Sequence, residues 1–514
     1  MMDSWALEEN TSAGRVGRVA QLARAPKVLT GRSPRNVRMA MARAWSRLLA
    51  LDVQDALASV GAVEPWLREL DEETAICLRA EIGTFRAVGF ALRDDCIAAL
   101  PLALTCTEGV AAPAVKLLAT TISRLAYWKL GDFERFHALR REHRPTLEKR
   151  HTSLIAFDRA VEAAVELQQL RFGLAGRLAQ NAMALVPRQG ARAFPISPLP
   201  TVVLAQVLYE QGALSEVEAL ARDSLPLATV RASPETAVRV YPLLARIAAH
   251  RRQVGLALFL LGEGEALGEA HGWGRLRAAC LQQRVELLVR GRRIEEARAC
   301  LERMRPLLNA ASRSRYTGAA IHGYFELARF RIELACEPSL EIVARVRHLH
   351  HEAAASGDLY LAVQLAICLA EALGAIDEEV AAHETLSRSL ELGASVGLHQ
   401  CFVDGGPVIG RLLVLAVERE RRFLQPYVGS LLNSWRSAHE SAGALKISKL
   451  SGPLSARECA ILGLVRRGYS NKRIALELRI APETVKSHAK HIFLKLGARS
   501  RVDAVSRAAS LGLL

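Results

Sequence analysis

At 514 residues, half of them apolar and few aromatic, with a formal net charge of +15, the chain has room for several domains and the composition of an Ala/Leu-rich helical protein. No stretch approaches the ~18 uninterrupted apolar residues of a membrane span. The N-terminus, with Asp3, Glu8 and Glu9, lacks the apolar core of a secretory signal, so a cytoplasmic protein with no membrane partner is expected.

Residues 1–35 are Arg-rich and mixed with Gly, Pro and Ser, and no acidic residue occurs between Glu9 and Asp52. The default expectation is a flexible basic arm, the alternative an arm that adds DNA contacts. From residue 36 to 405 apolar residues recur at three- and four-residue steps, as in AVKLLATTISRLAYWKL, which predicts helix after helix. Turn signals at Gly131, Gly173, Gly212, the HRRQ at His250, Gly291 and Gly374 fall mostly on the order of 40 residues apart, the spacing of stacked helical hairpins. The one double interval holds its own turn signal, Pro338 in ACEPSLEI. YWKLGDFERF and RGRRIEEARACL resemble divergent tetratricopeptide repeats. Such a stack is expected to leave a concave groove, a sensor or docking surface for a protein, peptide or small-molecule effector; the competing reading is a spacer. Asp404-Gly405-Gly406-Pro407 then breaks the rhythm, and residues 406–449 read as connecting helices and a linker.

Chemistry-bearing patterns are absent from this body. The nine cysteines are scattered without a CxxC pair and read as buried, reduced thiols. His350-His351-Glu352 lies in a helical pattern and reads as a polar face rather than a metal site. The sequence holds no Gly-Lys dipeptide, hence no P-loop, and no H-E-x-x-H. Neither an enzyme nor a cofactor is expected.

Residues 450–514 are different. Residues 454–514 carry 12 Lys/Arg against 4 Asp/Glu, and residues 1–50 carry 9 against 3, while the stretch between is nearly neutral. A compact basic module suits a partner bearing phosphates. Ser455 to Glu458 forms a capping box for a first helix with Cys459, Ile461, Leu462 and Val465 inward. A second helix, from Asn471 to Leu478, turns Ile474, Ala475 and Leu478 inward. Pro482 opens a third, with Val485, Ala489, Ile492 and Leu496 on one face and Glu483, Lys486, Ser487, Lys490 and His491 on or beside the other. Past the stop at Gly497, a fourth helix is expected with Val502, Val505 and Ala509 inward. A bracing helix, a tight turn and a basic, short-chained helix together predict a helix-turn-helix whose outer face enters a major groove.

The ordered elements of LSARECAILGLVRRGYSNKRIALELRIAPETVKSHAKHIFLKLGARSRVDAV resemble the LuxR-type DNA-binding domain along its whole length. More weakly, the helical body resembles that of MalT-like large regulators, without their ATPase domain. The resemblance implies an all-α protein: a tetratricopeptide-like solenoid followed by a small four-helix LuxR-type helix-turn-helix domain. It also implies a transcription regulator that binds double-stranded DNA as a homodimer and contacts RNA polymerase. Lys486, Ser487 and Lys490 match the positions that face bases. Ser470, Asn471, Lys472, Thr484 and His488 match positions near the backbone or bracing the helices; Glu483, Arg473 and Arg499 complete the expected DNA-facing set. Val502, Val505 and Ala509 fall on the helix that pairs in dimers. Two positions depart from the family pattern. Arg473 stands where an acidic residue is common, which predicts loss of a capping contact for the second helix. Ala481 stands where a Ser often caps the third, a difference of about 1 kcal/mol. The competing function is a protein-interaction scaffold with a vestigial DNA-binding module.

Overall fold

A computed structural model of the chain describes residues 34–139, 151–185, 198–223, 233–311, 315–440, 456–466, 469–478, 485–486, 488–489, 492–493, 496, 498 and 501–510. The described residues fold entirely as helices and turns.

The body runs α1 (Pro34–Leu49), α2 (Val53–Gly61), a 3-10 turn (Glu64–Glu69), α3 (Glu72–Leu92), α4 (Cys96–Glu108), α5 (Pro113–Lys129), α6 (Phe133–Ala138), α7 (Thr152–Gln168), α8 (Phe172–Leu185), α9 (Leu199–Glu210) and α10 (Leu214–Asp223). It continues with α11 (Pro234–His250), α12 (Val254–His271), α13 (Gly274–Arg290), α14 (Ile294–Ala311), α15 (Arg315–Cys336) and α16 (Leu340–Ala355). It ends with α17 (Leu359–Ala375), α18 (Glu379–Val396), α19 (Gln400–Val403), α20 (Pro407–Arg419) and α21 (Gln425–Glu440). Consecutive helices pair as antiparallel hairpins, and the first helix of each hairpin also packs on the first helix of the next: α3 on α5, α5 on α7, α7 on α9, α9 on α11, α11 on α13 and α13 on α15. The turn at Pro338 separates α15 from α16, as its sequence predicts.

One local device repeats at nearly every hairpin tip. The chain leaves the first helix through a single left-handed residue, and the next residue's N–H donates five residues back. Asp132 N–H reaches the Tyr127 carbonyl at 2.9 Å, Ala213 the Leu208 carbonyl at 2.9 Å and Arg293 the Leu288 carbonyl at 2.9 Å. This six-to-one bond satisfies a carbonyl that the helix end would otherwise orphan. The left-handed residue is a glycine at Gly131, Gly212, Gly272, Gly357 and Gly397, with φ between 70° and 76°, but Asp94, Leu170, Arg252, Arg292 and Asp377 in other turns, with φ between 56° and 65°. Asp95 and Asp132 then cap the second helix of their hairpins by accepting from the backbone N–H three residues on. Glycine marks only part of this punctuation, which is why the repeats look degenerate in sequence.

The solenoid does not stay open. α7 packs on α17, and α9 on α19, so early and late repeats meet. One continuous apolar cluster joins Val37, Phe85, Phe157 and Val207 to Phe330, Leu369, Phe402 and Leu432. The expected concave groove is therefore largely closed by the chain's own return. Tyr209 and Glu210, at the end of α9, bond residues of α17 and of the turn after α19, which draws the two sides together.

The C-terminal module is a separate small core. It contains α22 (Ala456–Arg466), α23 (Asn471–Leu478), helical residues 485, 486, 488, 489, 492 and 493, and α24 (Arg501–Ser510). Ile461, Leu462, Val465, Ile474, Ala475, Val485, Ile492 and Leu496 are buried together, in agreement with the sequence reading. In the fourth helix the buried residues are Ala504 and Ala508, whereas Val505 is half-buried at the margin. Val505, expected inward, thus packs against the edge of the core, while the small alanines at its centre let α24 approach α22 closely. The side chains of Val502 and Ala509 lie outside the described residues.

Candidate nucleic-acid interface

The interface is built on the turn before α23 and on the third helical stretch. Ser470 begins α23: its hydroxyl accepts from the Arg473 N–H at 3.4 Å and its carbonyl from the Ile474 N–H at 2.9 Å. The capping contact expected to be lost at Arg473 is therefore supplied by Ser470. Arg473 itself lies over the Tyr469 ring, 4.4 Å from its centroid, a cation–π contact that braces the turn. Ser470, Lys472 and Arg473 are exposed; Asn471 is half-buried, and its side-chain oxygen accepts from Arg501 at 2.8 Å.

In the third stretch Val485, Ile492 and Leu496 bury one side, and Lys486 emerges exposed beside it. His488 and Ala489 are half-buried at the edge, a position that suits bracing better than base contact for His488. Of the other residues expected to face DNA, Glu483, Thr484, Ser487, Lys490 and Arg499 lie outside the described residues. The structure thus brings Ser470, Asn471, Lys472, Arg473 and Lys486 onto one compact domain.

Sequence reasoning missed Tyr469 and Arg501. A signal for Arg501 was present: a cation in the first turn of a helix opposes the helix dipole, so its guanidinium needs another employment. It also missed Leu476, 80 % exposed on α23 among Lys472, Arg473 and Glu477.

The interior of the solenoid holds the second concentration of polar chemistry. The Asp404 carboxylate accepts from the Tyr209 hydroxyl at 2.9 Å and the Gln400 amide at 3.0 Å, and pairs with His250 Nε2 at 3.0 Å. Arg290 donates to the Asp404 carbonyl at 2.7 Å. Burial alone would raise this carboxyl; the hydrogen bond from His250 and the charges of His250, Arg290 and Arg246 outweigh it and hold the pKa well below the usual range. Glu210 behaves oppositely. Its desolvation outweighs Arg246 at 3.7 Å and the Tyr360 hydroxyl bond, so its pKa rises to about 7. Glu371 accepts from Arg331 and from the Gly406 N–H, and Arg331 also pairs with Glu286 at 2.6 Å. The residues after α19 therefore plug a polar interior lined by α9, α11, α13, α15 and α17. His350 and His351 are engaged with backbone carbonyls, of Ala362 at 2.9 Å and of Arg347 at 2.8 Å. Of the eight described cysteines, five are buried and Cys336 is exposed, so that thiol departs from the uniform burial expected.

Comparison with known protein families agrees with both halves of this architecture. A family model described as bacterial regulatory proteins, luxR family, matches residues 452–508. A second, described as the MalT-like TPR region, matches residues 102–419, more than half of the chain. The chain belongs to the MalT-like TPR family and carries at its C-terminal end a regulatory domain of the luxR family.

Proposed function

We propose that the protein is a sequence-specific transcription regulator: the C-terminal module reads double-stranded DNA, and the closed solenoid receives a signal. The observation that carries the reading is the matched luxR-family domain itself, with Lys486 exposed beside the buried face of Val485, Ile492 and Leu496. Lys486, Ser487 and Lys490 would contact base edges. Ser470, Lys472, Arg473, Thr484 and Arg499 would hold the phosphate backbone, with Asn471, Glu483 and His488 at the margins. Lysines at a major-groove face reach guanine O6 and N7, and backbone contacts fix the register.

The stripe Val502, Val505, Ala509 is the proposed pairing surface between two copies on DNA. Val505, the one member of the stripe whose side chain is described, is half-buried at the margin of the core. An effector would act on the polar interior around Asp404. Contact with RNA polymerase belongs to the same reading, with no residue assigned.

The test is a salt titration of full-length protein on duplex DNA. Affinity is expected to fall steeply with salt, with a log–log slope of about −0.9 per phosphate neutralised. Lys472→Ala is expected to reduce the slope magnitude by about 0.9, whereas Lys486→Ala costs about 1–3 kcal/mol at the preferred site. Affinity insensitive to salt and to both changes would overturn the reading.

A further inference from the structure

The fourth helix is held to the rest of the DNA-binding module by two arginines. Arg501, its first residue, donates through Nη1 to Asn471 Oδ1 at 2.8 Å and through Nη2 to the Tyr469 carbonyl. Arg507 donates to the Leu496 carbonyl at 3.4 Å, at the end of the third helical stretch. On the same helix Ala504 and Ala508 are buried in the shared core. One helix therefore grips both the turn that opens α23 and the end of the stretch carrying Lys486.

The two bonds of Arg501 converge on a short segment, Tyr469 to Asn471. The same segment is braced on its other side by Arg473, stacked over the Tyr469 ring, and by the Ser470 cap. A guanidinium presents its donors in a fixed planar fork, so two acceptors on one loop fix that loop's position and orientation, which a single flexible ammonium cannot do. Arg501 is only half-exposed, and two of its donors are directed inward. Its position in the first turn of α24 opposes the helix dipole, so its role is set by these tertiary contacts rather than by helix stability.

We propose that Arg501 is a positioning residue for DNA binding. It holds the 470–472 turn at the height where Ser470 and Lys472 meet a phosphate, and it couples that grip to the helix proposed to pair in the dimer. It does not itself touch DNA. The inference rests on the DNA-binding reading above and adds to it a residue and a linkage. Loss of the fork frees the turn, so the phosphate contact weakens while readout through Lys486 persists.

The experiment uses full-length protein and a duplex recovered by selection from genomic fragments. Wild type, Arg501→Ala, Arg501→Lys, Asn471→Ala and the Arg501→Ala/Asn471→Ala double variant are compared by affinity, salt dependence, phosphate-ethylation interference and thermal melting. Arg501→Ala is expected to weaken binding roughly tenfold, the scale of one charge-assisted hydrogen bond. Interference should be lost at the phosphate under the 470–472 turn and kept elsewhere, with the salt slope altered by no more than that one contact. The double variant should bind no worse than Arg501→Ala, and Arg501→Lys should recover only part of the loss. The proposal is overturned if ethylation interference weakens evenly at every phosphate as melting temperature drops, because the role is then stability alone. It is also overturned if the losses at Arg501 and Asn471 add, or if interference is lost only at a second phosphate away from the turn, because Arg501 then binds DNA directly. A wild-type protein that selects no site brings down the DNA-binding reading itself, and this proposal with it.

Discussion

Single residues in the solenoid carry consequences that differ at chemically identical positions. Gly131 and Gly212 both occupy left-handed turns, at φ 75° and 76°. A Cβ at Gly131 would meet nothing within 4 Å, whereas at Gly212 it would lie 2.7 Å from Nδ1 of His399. Gly131→Ala is expected to cost about 1–2 kcal/mol, the strain of the left-handed backbone. Gly212→Ala should cost more, because His399 must also shift; its backbone N–H is bonded to the Glu210 carbonyl at 2.7 Å. Denaturant unfolding of both variants checks the order, and equal losses would contradict it.

Glu210 gives a pH signature. Burial pushes its carboxyl up to about 7 in the fold, against an ordinary value of about 4.5. Between those values the folded state binds the extra proton, so this group's contribution to stability falls as pH rises from about 4.5 to 7 and stays unfavourable above. Glu210→Gln, neutral throughout, is expected to flatten this part of the profile and to melt higher than wild type at pH 8. The effect should be on the order of 2 kcal/mol. A variant profile parallel to wild type from pH 5 to 8 would contradict the assignment.

Among elements, α24 separates packing from pairing. Ala508 is fully buried and Val505 half-buried. Ala508→Asp is expected to unfold the C-terminal module, since an unpaired buried carboxylate costs several kcal/mol. Val505→Asp should leave the module folded but weaken binding to a two-fold-related site more than to a half-site. Circular dichroism melting beside binding to whole and half sites distinguishes them, and equal loss on both DNAs would argue against pairing through this stripe.

Much of this element-level structure was legible in the sequence. Helical periodicity, the Gly131 and Gly212 turns, the Pro338 break and the buried face of the module follow from local chemistry alone. The turns near Gly173, at HRRQ and at Gly291 were legible too, but not that Leu170, Arg252 and Arg292 are their left-handed residues, because those types rarely adopt that conformation. The inward alanines of α24 were missed because valine outweighs alanine in an apolar pattern, while close packing against α22 favours the smaller residue. Arg501 was legible only as a misplaced charge; its partners lie about 30 residues away in sequence.

At the scale of the whole molecule, closure of the solenoid depends on pairs that no local pattern announces. Tyr209 and Asp404, or Tyr360 and Glu210, are at least 150 residues apart. Asp404 is the acceptor for Tyr209, His250 and Gln400 at once. Asp404→Ala is expected to destabilise the closure by about 1–3 kcal/mol, the penalty for leaving buried donors unsatisfied. Hydrogen exchange should rise first in α9 and α19, and uniform exchange along the body would contradict a local seam. The residues that follow Asp404 lead through α20 and α21 to the DNA-binding module, so the polar interior lies upstream of the part that would respond to a signal. If the body masks the module, a fragment starting near Ile447 binds DNA more tightly than the whole chain; equal affinities would remove masking from the account.

The central claim is that the basic C-terminal module reads DNA by sequence. Its most direct test is selection of genomic fragments by the purified full-length protein at moderate salt, beside the Lys486→Ala/Lys490→Ala variant. The account predicts a recurrent, two-fold-related site that the wild type recovers and the variant does not. Recovery of no site by the intact chain or by its C-terminal fragment, with partner proteins captured equally by wild type and variant, would contradict it and leave an interaction scaffold.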